Sequence, residues 1–312
     1  MDVIVTGGAG FIGSHTVELL LSEGYGVIIV DDFYTGSMDN LPTSNRRLRV
    51  LRVDVSDWSS LKMKTTDLVS EGDIAGVIHL AALINIVEVM EDPQRALDVN
   101  VKGTVNVLEL ARLFDVDRVV FASSTAVHGE PVYLPVDEAH PLNPANLYGE
   151  TKLFSERLLN RYSIDYGLET IALRYFNVYG PRMRPGPYAG VVLAFIQALL
   201  DGRRPVIYGS GLQTRDFVYV RDVARANLLA LESKYTGVLE IGSGGETSIR
   251  DLYHMVCEII GNCPEPEFKP PRPGDVQRSR ASIALAWKAI GWKPMTDLMD
   301  GLRETVTYYR KH

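Results

Sequence analysis

The sequence predicts an α/β chain built on a doubly wound parallel sheet, and three observations carry the prediction. Short β-branched runs alternate with helical patterns up to about residue 177, the rhythm of βαβ crossovers. Most of these runs are nearly continuous apolar stretches, as strands are when helices cover both faces of a sheet. A glycine-rich turn separates the first run from the first helical pattern.

In order, the runs are "DVIVTG" (2–7), "GVIIVDD" (26–32), "RLRVLRVDV" (47–55), "AGVIHLAA" (75–82), "DRVVFASS" (117–124) and "ETIALRYFN" (169–177). After residue 177 the texture changes. "YGPRMRPGPYAG" (179–190) reads as a loop, and helices are expected over 191–201 and 223–233, with "RPVIYGSGLQTRDFVYVRD" (204–222) between them. "GVLEIGSG" (237–244) reads as one more core strand and "FKPPRPGDVQRS" (268–279) as a second long loop. The expected organisation is a dinucleotide-binding domain over 1–177, completed by the strand at 237–244. Residues 178–236 and 245–312 then form a smaller, discontinuous lobe. A cleft between the two, beside the carboxyl ends of the parallel strands, is the expected ligand site.

The turn "TGGAGFIGSH" (6–15) places Gly7, Gly10 and Gly13 between strand and helix. Glycine there permits a tight turn and a close approach of backbone to a pyrophosphate at the positive end of the helix. The second strand ends in Asp31-Asp32, about 20 residues on, where an acidic group meets an adenosine ribose. A carboxylate at that place favours the free 2′-hydroxyl of NAD and repels the 2′-phosphate of NADP. Asp54, at the end of the third strand, has two readings of equal weight: an acceptor for an adenine amine, or a turn residue ahead of the next helix, with Ser56 and Asp57 competing for the cap.

"NLYGETKLFSE" (146–156) sets Tyr148 four residues ahead of Lys152, on one helical face. A phenol beside an ammonium ionises more easily, which makes a general base from a group whose ordinary pKa is about 10.

Bulk properties narrow the field. With 46% hydrophobic residues, 23% charged residues and a formal net charge of −7, the 312-residue chain has an ordinary globular composition and no basic surplus for nucleic acid. Cys257 and Cys263 lie in no metal-ligand pattern, and sequence leaves a single disulfide open. The N-terminus enters a strand directly, and no apolar run is long enough for a bilayer, so a soluble cytoplasmic protein without membrane contact is expected.

Taken together these residues resemble the extended short-chain dehydrogenase/reductases, and within them the nucleotide-sugar 4-epimerases. The resemblance runs from Met1 to about Trp292 and rests on "TGGAGFIGSH", "HLAA" (79–82), "NVKGT" (100–104), "SSTAVHGE" (123–130), "LYGETK" (147–152), "RYFNVYGPR" (174–182), "TRDFVYV" (214–220) and "RPGD" (272–275) in one order. It implies a Rossmann-like sheet with a nucleotide-sugar lobe, tightly bound NAD, and interconversion of UDP-glucose and UDP-galactose through a 4-keto sugar. Tyr148, Lys152 and Ser124 match the catalytic set: the phenol as base, the lysine to lower its pKa together with the positive nicotinamide, the serine to orient the sugar oxygen. Cofactor contacts are implied for Gly7, Gly10, Phe11, Ile12, Gly13, Asp31, Asp32, Asp54, Val55, Leu80, Ala81, Ala82 and Asn100, besides Tyr148 and Lys152. Substrate contacts are implied for Ser124, Asn177, Val191, Tyr208, Arg215, Arg272, Asp275 and Ser279. Of these, Arg215 and Arg272 match diphosphate ligands, Asp275 a ribose ligand and Tyr208 the aromatic flanking uracil.

Dehydratases and decarboxylases on this platform carry a carboxyl just after the catalytic Ser/Thr; here stand Thr125 and Ala126. Uronate epimerases usually have Thr at the place of Asn177. The chain also departs from the epimerase pattern. Ile84 replaces a lysine that approaches the NAD pyrophosphate, and Val191 replaces an asparagine, leaving backbone amides or arginines such as Arg182 and Arg184 as substitutes on the diphosphate. Ser279 replaces a bulky aromatic, a small gate that admits a 2-acetamido group and so UDP-N-acetylhexosamines. His79 and His128 belong to no ligand cluster, and no metal is expected. A non-catalytic NAD-binding regulator is the reading from another class, disfavoured because Tyr148 and Lys152 are both present. Helices over about 93–114 and 148–166 match the family's homodimer interface, although Leu153, Leu158 and Leu159 fit a plain core equally well.

Overall fold

A computed structural model describes residues 1–69, 74–186, 190–272 and 274–311. The first part runs β1 (Asp2–Thr6), α1 (Phe11–Ser22), β2 (Gly26–Asp31), β3 (Leu48–Arg52), α2 (Trp58–Thr66), β4 (Ile74–His79), α3 (Ile86–Glu91), α4 (Pro93–Leu97), α5 (Gly103–Leu113), β5 (Arg118–Ser124), α6 (Leu147–Tyr166) and β6 (Glu169–Tyr175). The second continues β7 (Asn177–Tyr179), α7 (Val191–Leu200), β8 (Val206–Tyr208), β9 (Thr214–Arg215), β10 (Phe217–Tyr219), α8 (Val220–Glu232) and β11 (Gly237–Ile241). It closes with β12 (Thr247–Ser248), α9 (Ile249–Ile260), β13 (Glu267–Lys269), α10 (Ala284–Ile290) and α11 (Leu298–Tyr309).

Seven strands form one parallel sheet in the order β11-β6-β5-β4-β1-β2-β3. The order reverses at β1, so the loops after β1 and β4 open a crevice at the carboxyl edge. Side-chain alternation sorts the strands onto two cores. Val3, Val5 and Ile29 pack with Val17 and Leu20 of α1 and with Val223 and Ala226 of α8. Ile4, Ile28 and Val30 pack on the other face with Leu61 of α2, Val107 and Leu110 of α5 and Leu159 of α6. A third core joins α7, α9 and α11 through Phe195, Ile196, Leu252, Val256, Leu302 and Val306.

Three boundaries differ from expectation. The third strand stops at Arg52 because Asp54 turns the chain, its Oδ1 accepting the Ser56 N–H at 2.8 Å. The helix expected over 93–114 is α4 and α5 joined by a π-helical turn, Asp98–Lys102. α8 starts at Val220, directly after the short strand β10. The expected loops over 179–190 and 268–279 fall partly on residues 187–189 and 273, outside the described residues.

Candidate active site

The glycine turn leads into α1 with Gly10 at its N-cap, which offers no side-chain cap. Gly7 has φ +68°, and a Cβ there would lie 2.7 Å from the Ala81 nitrogen; one on Gly13 would lie 2.0 Å from the Gly7 oxygen. Glycine is required at both places, by backbone approach on one side and by helix-on-loop packing on the other. Gly10 meets only the Gly7 oxygen, at 3.2 Å, so its outer side is open. The uncapped first N–H groups of α1 beside an open glycine turn fit the pyrophosphate of a dinucleotide. Phe11 and Ile12 are half-buried and pack toward the third core. Leu80 and Ala81 run beside the turn, the Leu80 N–H donating to the Thr6 carbonyl and the Ala81 N–H to its hydroxyl, and half-buried Ala82 follows.

Asp31 is buried at the end of β2. Its two oxygens accept the Ala9 N–H at 2.9 Å and the Phe33 N–H at 2.8 Å, and burial raises its pKa against those two bonds. Asp32 is half-buried and accepts the Tyr34 N–H. The pair therefore fixes the loop after β2 against the glycine turn. Of the two readings of Asp54, its bond to the Ser56 N–H shows the turn residue. Asp57 caps α2, while Asp54 borders a cavity of about 280 Å³ with Ser56, Asp92, Gln94, Arg95, Asp98 and Val99. Buried Val55 accepts the Asn106 amide through its carbonyl.

Asn100, in the π-helical turn, is buried. Its Oδ1 accepts the Leu83 N–H at 2.7 Å, and its Nδ2 donates to the Leu83 carbonyl at 2.9 Å and the Thr151 hydroxyl at 3.1 Å. Both amide protons are thus used inside the protein, and its observed job is to brace the loop after β4 against α6. Ile84 is 65% exposed in that loop.

Ser124 ends β5 and starts a tight turn, its Oγ accepting the Ala126 N–H at 3.1 Å. Asn146 caps α6 by accepting the Gly149 N–H, which sets Tyr148 in the first turn. Ser124 hydrogen-bonds the Tyr148 phenol. Lys152 is only 3% exposed; its Nζ donates to the Ala122 carbonyl at 2.8 Å and lies 6.0 Å from the centre of the Tyr148 ring.

The electrostatics of the protein without its cofactor follow burial. Burial pushes Tyr148 up to about 12, with Ser124 opposing, and pushes the Lys152 ammonium down to about 7, with Glu156 opposing. In the protein alone, desolvation of the phenol outweighs the hydrogen bond from Ser124.

Asn177 follows β6, whose Tyr175 pairs with Ser124, and its N–H donates to the Asp216 carbonyl at 3.0 Å. Arg215, the neighbour of Asp216, forms an ion pair with Asp275. The Arg272 guanidinium stacks 4.0 Å over the Tyr208 ring, and the Asp275 N–H donates to the Arg272 carbonyl. The four residues expected on the nucleotide thus form two directly joined pairs. Ser279 is buried between Arg278 and Arg280, which line a cavity of about 360 Å³ with Glu130 and Tyr133. Val191 begins α7, next to residues outside the described set. Arg182 is tied to Glu18 on α1, and exposed Arg184 lies 5.9 Å from the Tyr34 ring.

Several structural groups escaped sequence reasoning. Buried Asp216 accepts the N–H groups of Ser243, Gly244 and Ala281, tying "TRDF" to two distant loops. Glu156, one turn past Lys152, takes Arg174 through both oxygens at 2.9 and 2.7 Å and also the Ser123 hydroxyl. Arg174 continues to Glu240 at 3.0 Å, and His128 Nε2 lies 2.8 Å from the same Glu240 oxygen. The signal was a glutamate four residues after the lysine on a helix face and an aspartate inside an apolar run. His79 sits between the Thr6 and Thr104 hydroxyls, and burial lowers its pKa to about 3. Among the described residues no group of three or more His, Cys, Asp or Glu could hold a metal. Both cysteines are free.

The model of the NAD dependent epimerase/dehydratase family matches residues 3–242. A putative UDP-glucose 4-epimerase of Methanocaldococcus jannaschii is 43% identical over 99% of each chain. Among solved structures, UDP-glucose 4-epimerase of Thermotoga maritima with UDP-glucose superposes with a TM-score of 0.94 at 38% identity, covering 100% of this chain and 99% of that one. UDP-N-acetylglucosamine 4-epimerase of Methanobrevibacter ruminantium M1, in complex with UDP-N-acetylmuramic acid, gives 0.92 at 36% identity over 99% and 98%.

Proposed function

The chain belongs to the NAD dependent epimerase/dehydratase family, and on that footing we propose that it interconverts UDP-glucose and UDP-galactose at C4. One observation carries the reading. Ser124, Tyr148 and Lys152 converge at the carboxyl edge of the sheet, and the turn after Ser124 holds Thr125 and Ala126 where elimination chemistry needs a carboxyl. The next acidic residue, Glu130, accepts the Gln277 N–H instead.

Ser124 and Tyr148 hold the C4 hydroxyl, and the Tyr148 phenolate removes its proton as the C4–H bond breaks. NAD, when bound, would supply a reversible hydride acceptor and a positive ring that favours the phenolate. Lys152, when protonated, stabilises the phenolate. Arg215 and Arg272 hold the diphosphate while the 4-keto sugar turns about its bond to it, with Tyr208 against uracil, Asp275 on the ribose and Asn177 on the sugar side. The glycine turn, the loop after β2 with Asp31 and Asp32, and Leu80–Ala82 hold the cofactor, with Asp54 and Val55 at the adenine end.

Ser279 supports a second substrate class. A small buried side chain at that gate leaves room for a 2-acetamido group, which extends the range to UDP-N-acetylhexosamines. The reading brings with it a cytoplasmic location, a place in galactose metabolism and a homodimer. Among the described residues no helix is long and apolar enough to cross a membrane.

Proton NMR of the purified protein with UDP-galactose and no added cofactor tests this. The anomeric signal of UDP-glucose should appear, and Tyr148→Phe should slow its appearance by about 10²–10⁴-fold. An unchanged wild-type spectrum rules out the galactose reading; UDP-N-acetylglucosamine added to the same tube then tests the acetamido class.

A further inference from the structure

The cofactor cleft is crossed by a contact that the reaction itself does not call for. In the sheet, β1 lies between β2 and β4, so the segments after β2 and β4 flank the glycine turn that follows β1. Tyr34, three residues past β2, donates its hydroxyl proton to Glu88 on α3, the first helix after β4. A bond between those two segments has to pass over the mouth of the crevice above the glycine turn.

Both ends of the bridge are held from below. Asp31 and Asp32 accept the N–H groups of Phe33 and Tyr34, and Phe33 takes a φ of +62° to make the turn. On the far side of Tyr34, the Ser37 N–H and the Asn40 amide both donate to the Ala9 carbonyl in the glycine turn. α3 is capped by Asn85, which accepts the Val87 and Glu88 N–H groups. The Arg95 guanidinium of α4 lies 3.8 Å from the centre of the Tyr34 ring, on the wall of the cavity that Asp54 also borders. Tyr34 is nevertheless 43% exposed, so burial of its ring does not explain the arrangement. Ile84, four residues before Glu88, carries no charge with which to hold a pyrophosphate.

We propose that Tyr34 and Glu88 form a strap across the cofactor cleft that retains NAD beneath it, with Arg95 holding the tyrosine ring in place. The strap rests on the NAD-dependent reading above and assigns cofactor retention to residues that touch no reacting atom.

The test is the rate at which NAD leaves the purified, NAD-loaded protein, followed by trapping released NAD with an NAD glycohydrolase in excess. Tyr34→Phe keeps the ring over Arg95 and removes only the hydroxyl; Glu88→Ala removes the acceptor. Each should speed release about tenfold, and the double variant should be no faster than either single one, because all three break the same bond. Release unchanged in both single variants overturns the strap. Tighter retention and faster uptake in the variants overturn it too, since the bond would then obstruct the cleft. A wild-type protein that takes up no NAD removes the cofactor reading under the strap, an outcome distinct from the other two.

Discussion

Lys152 is the residue at which folding and chemistry pull in opposite directions. Its ammonium is buried with one carbonyl acceptor and the Glu156 carboxylate one turn away, and burial lowers its pKa to about 7 from 10.5. Between those two values the unfolded chain binds the proton that the folded chain has released, so stability climbs as pH rises from 7 to 10.5. Urea unfolding of the NAD-free protein at pH 7 and pH 9 should show that climb, and Lys152→Met should flatten it. Equal slopes for the two proteins would contradict the assignment. The pairing of Tyr148 with Lys152 was legible in the sequence because the two lie one helical turn apart, whereas Ser124 joined them only through the family resemblance. The charge balance of the pair was not legible, because desolvation depends on what the fold packs around the helix. Asn100 makes the same point, since only the structure shows its amide committed to Leu83 and Thr151.

α6 carries more than its first turn suggests. Tyr148, Lys152 and Glu156 follow one another down a single face, so the helix that presents the phenol also anchors itself, through Glu156 and Arg174, to β6 and onward to β11. Removing one partner from a buried pair leaves the other charge uncompensated. Arg174→Met takes the guanidinium from both buried carboxylates, leaving Glu156 only the Ser123 hydroxyl and Glu240 only His128, and should cost about 3–5 kcal/mol, seen as a lower urea midpoint. A midpoint within error of wild type would show that the network contributes little. No reading of periodicity finds this link, because Arg174 and Glu240 are 66 residues apart and each sits in a strand whose neighbours are apolar. The π-helical turn escaped for a similar reason: the pattern over 93–114 is that of one helix, and the bulge is fixed by Asn100 reaching sideways to the loop after β4.

Across the whole molecule, the residues first considered for a subunit interface divide in two. Leu153 and Leu159 are buried within the chain, Leu158 is half-buried, and Phe154 on the same helix is 49% exposed, with Leu97 and Met90 also exposed on the preceding helices. If these exposed apolar side chains seat a second copy, Phe154→Glu should convert a dimer to a monomer in sedimentation velocity while NAD binding persists. A monomeric wild type would remove the premise. The late strand was readable from its apolar run. The partners of that strand were not readable, since register emerges only from the assembled sheet.

The position of β11 has a consequence for synthesis. It pairs with β6 along Ile171–Tyr175 yet is the last strand of the seven-stranded sheet to be made, more than 60 residues after its neighbour. A nascent chain emerging from the ribosome therefore displays β6 with an open hydrogen-bonding edge until Gly237–Ile241 arrives. Residues 178–236, from β7 to α8, are made in that interval, so the first 177 residues leave that edge of the sheet uncovered. Expressed alone they should aggregate along β6, whereas a piece extended through β11 covers that edge.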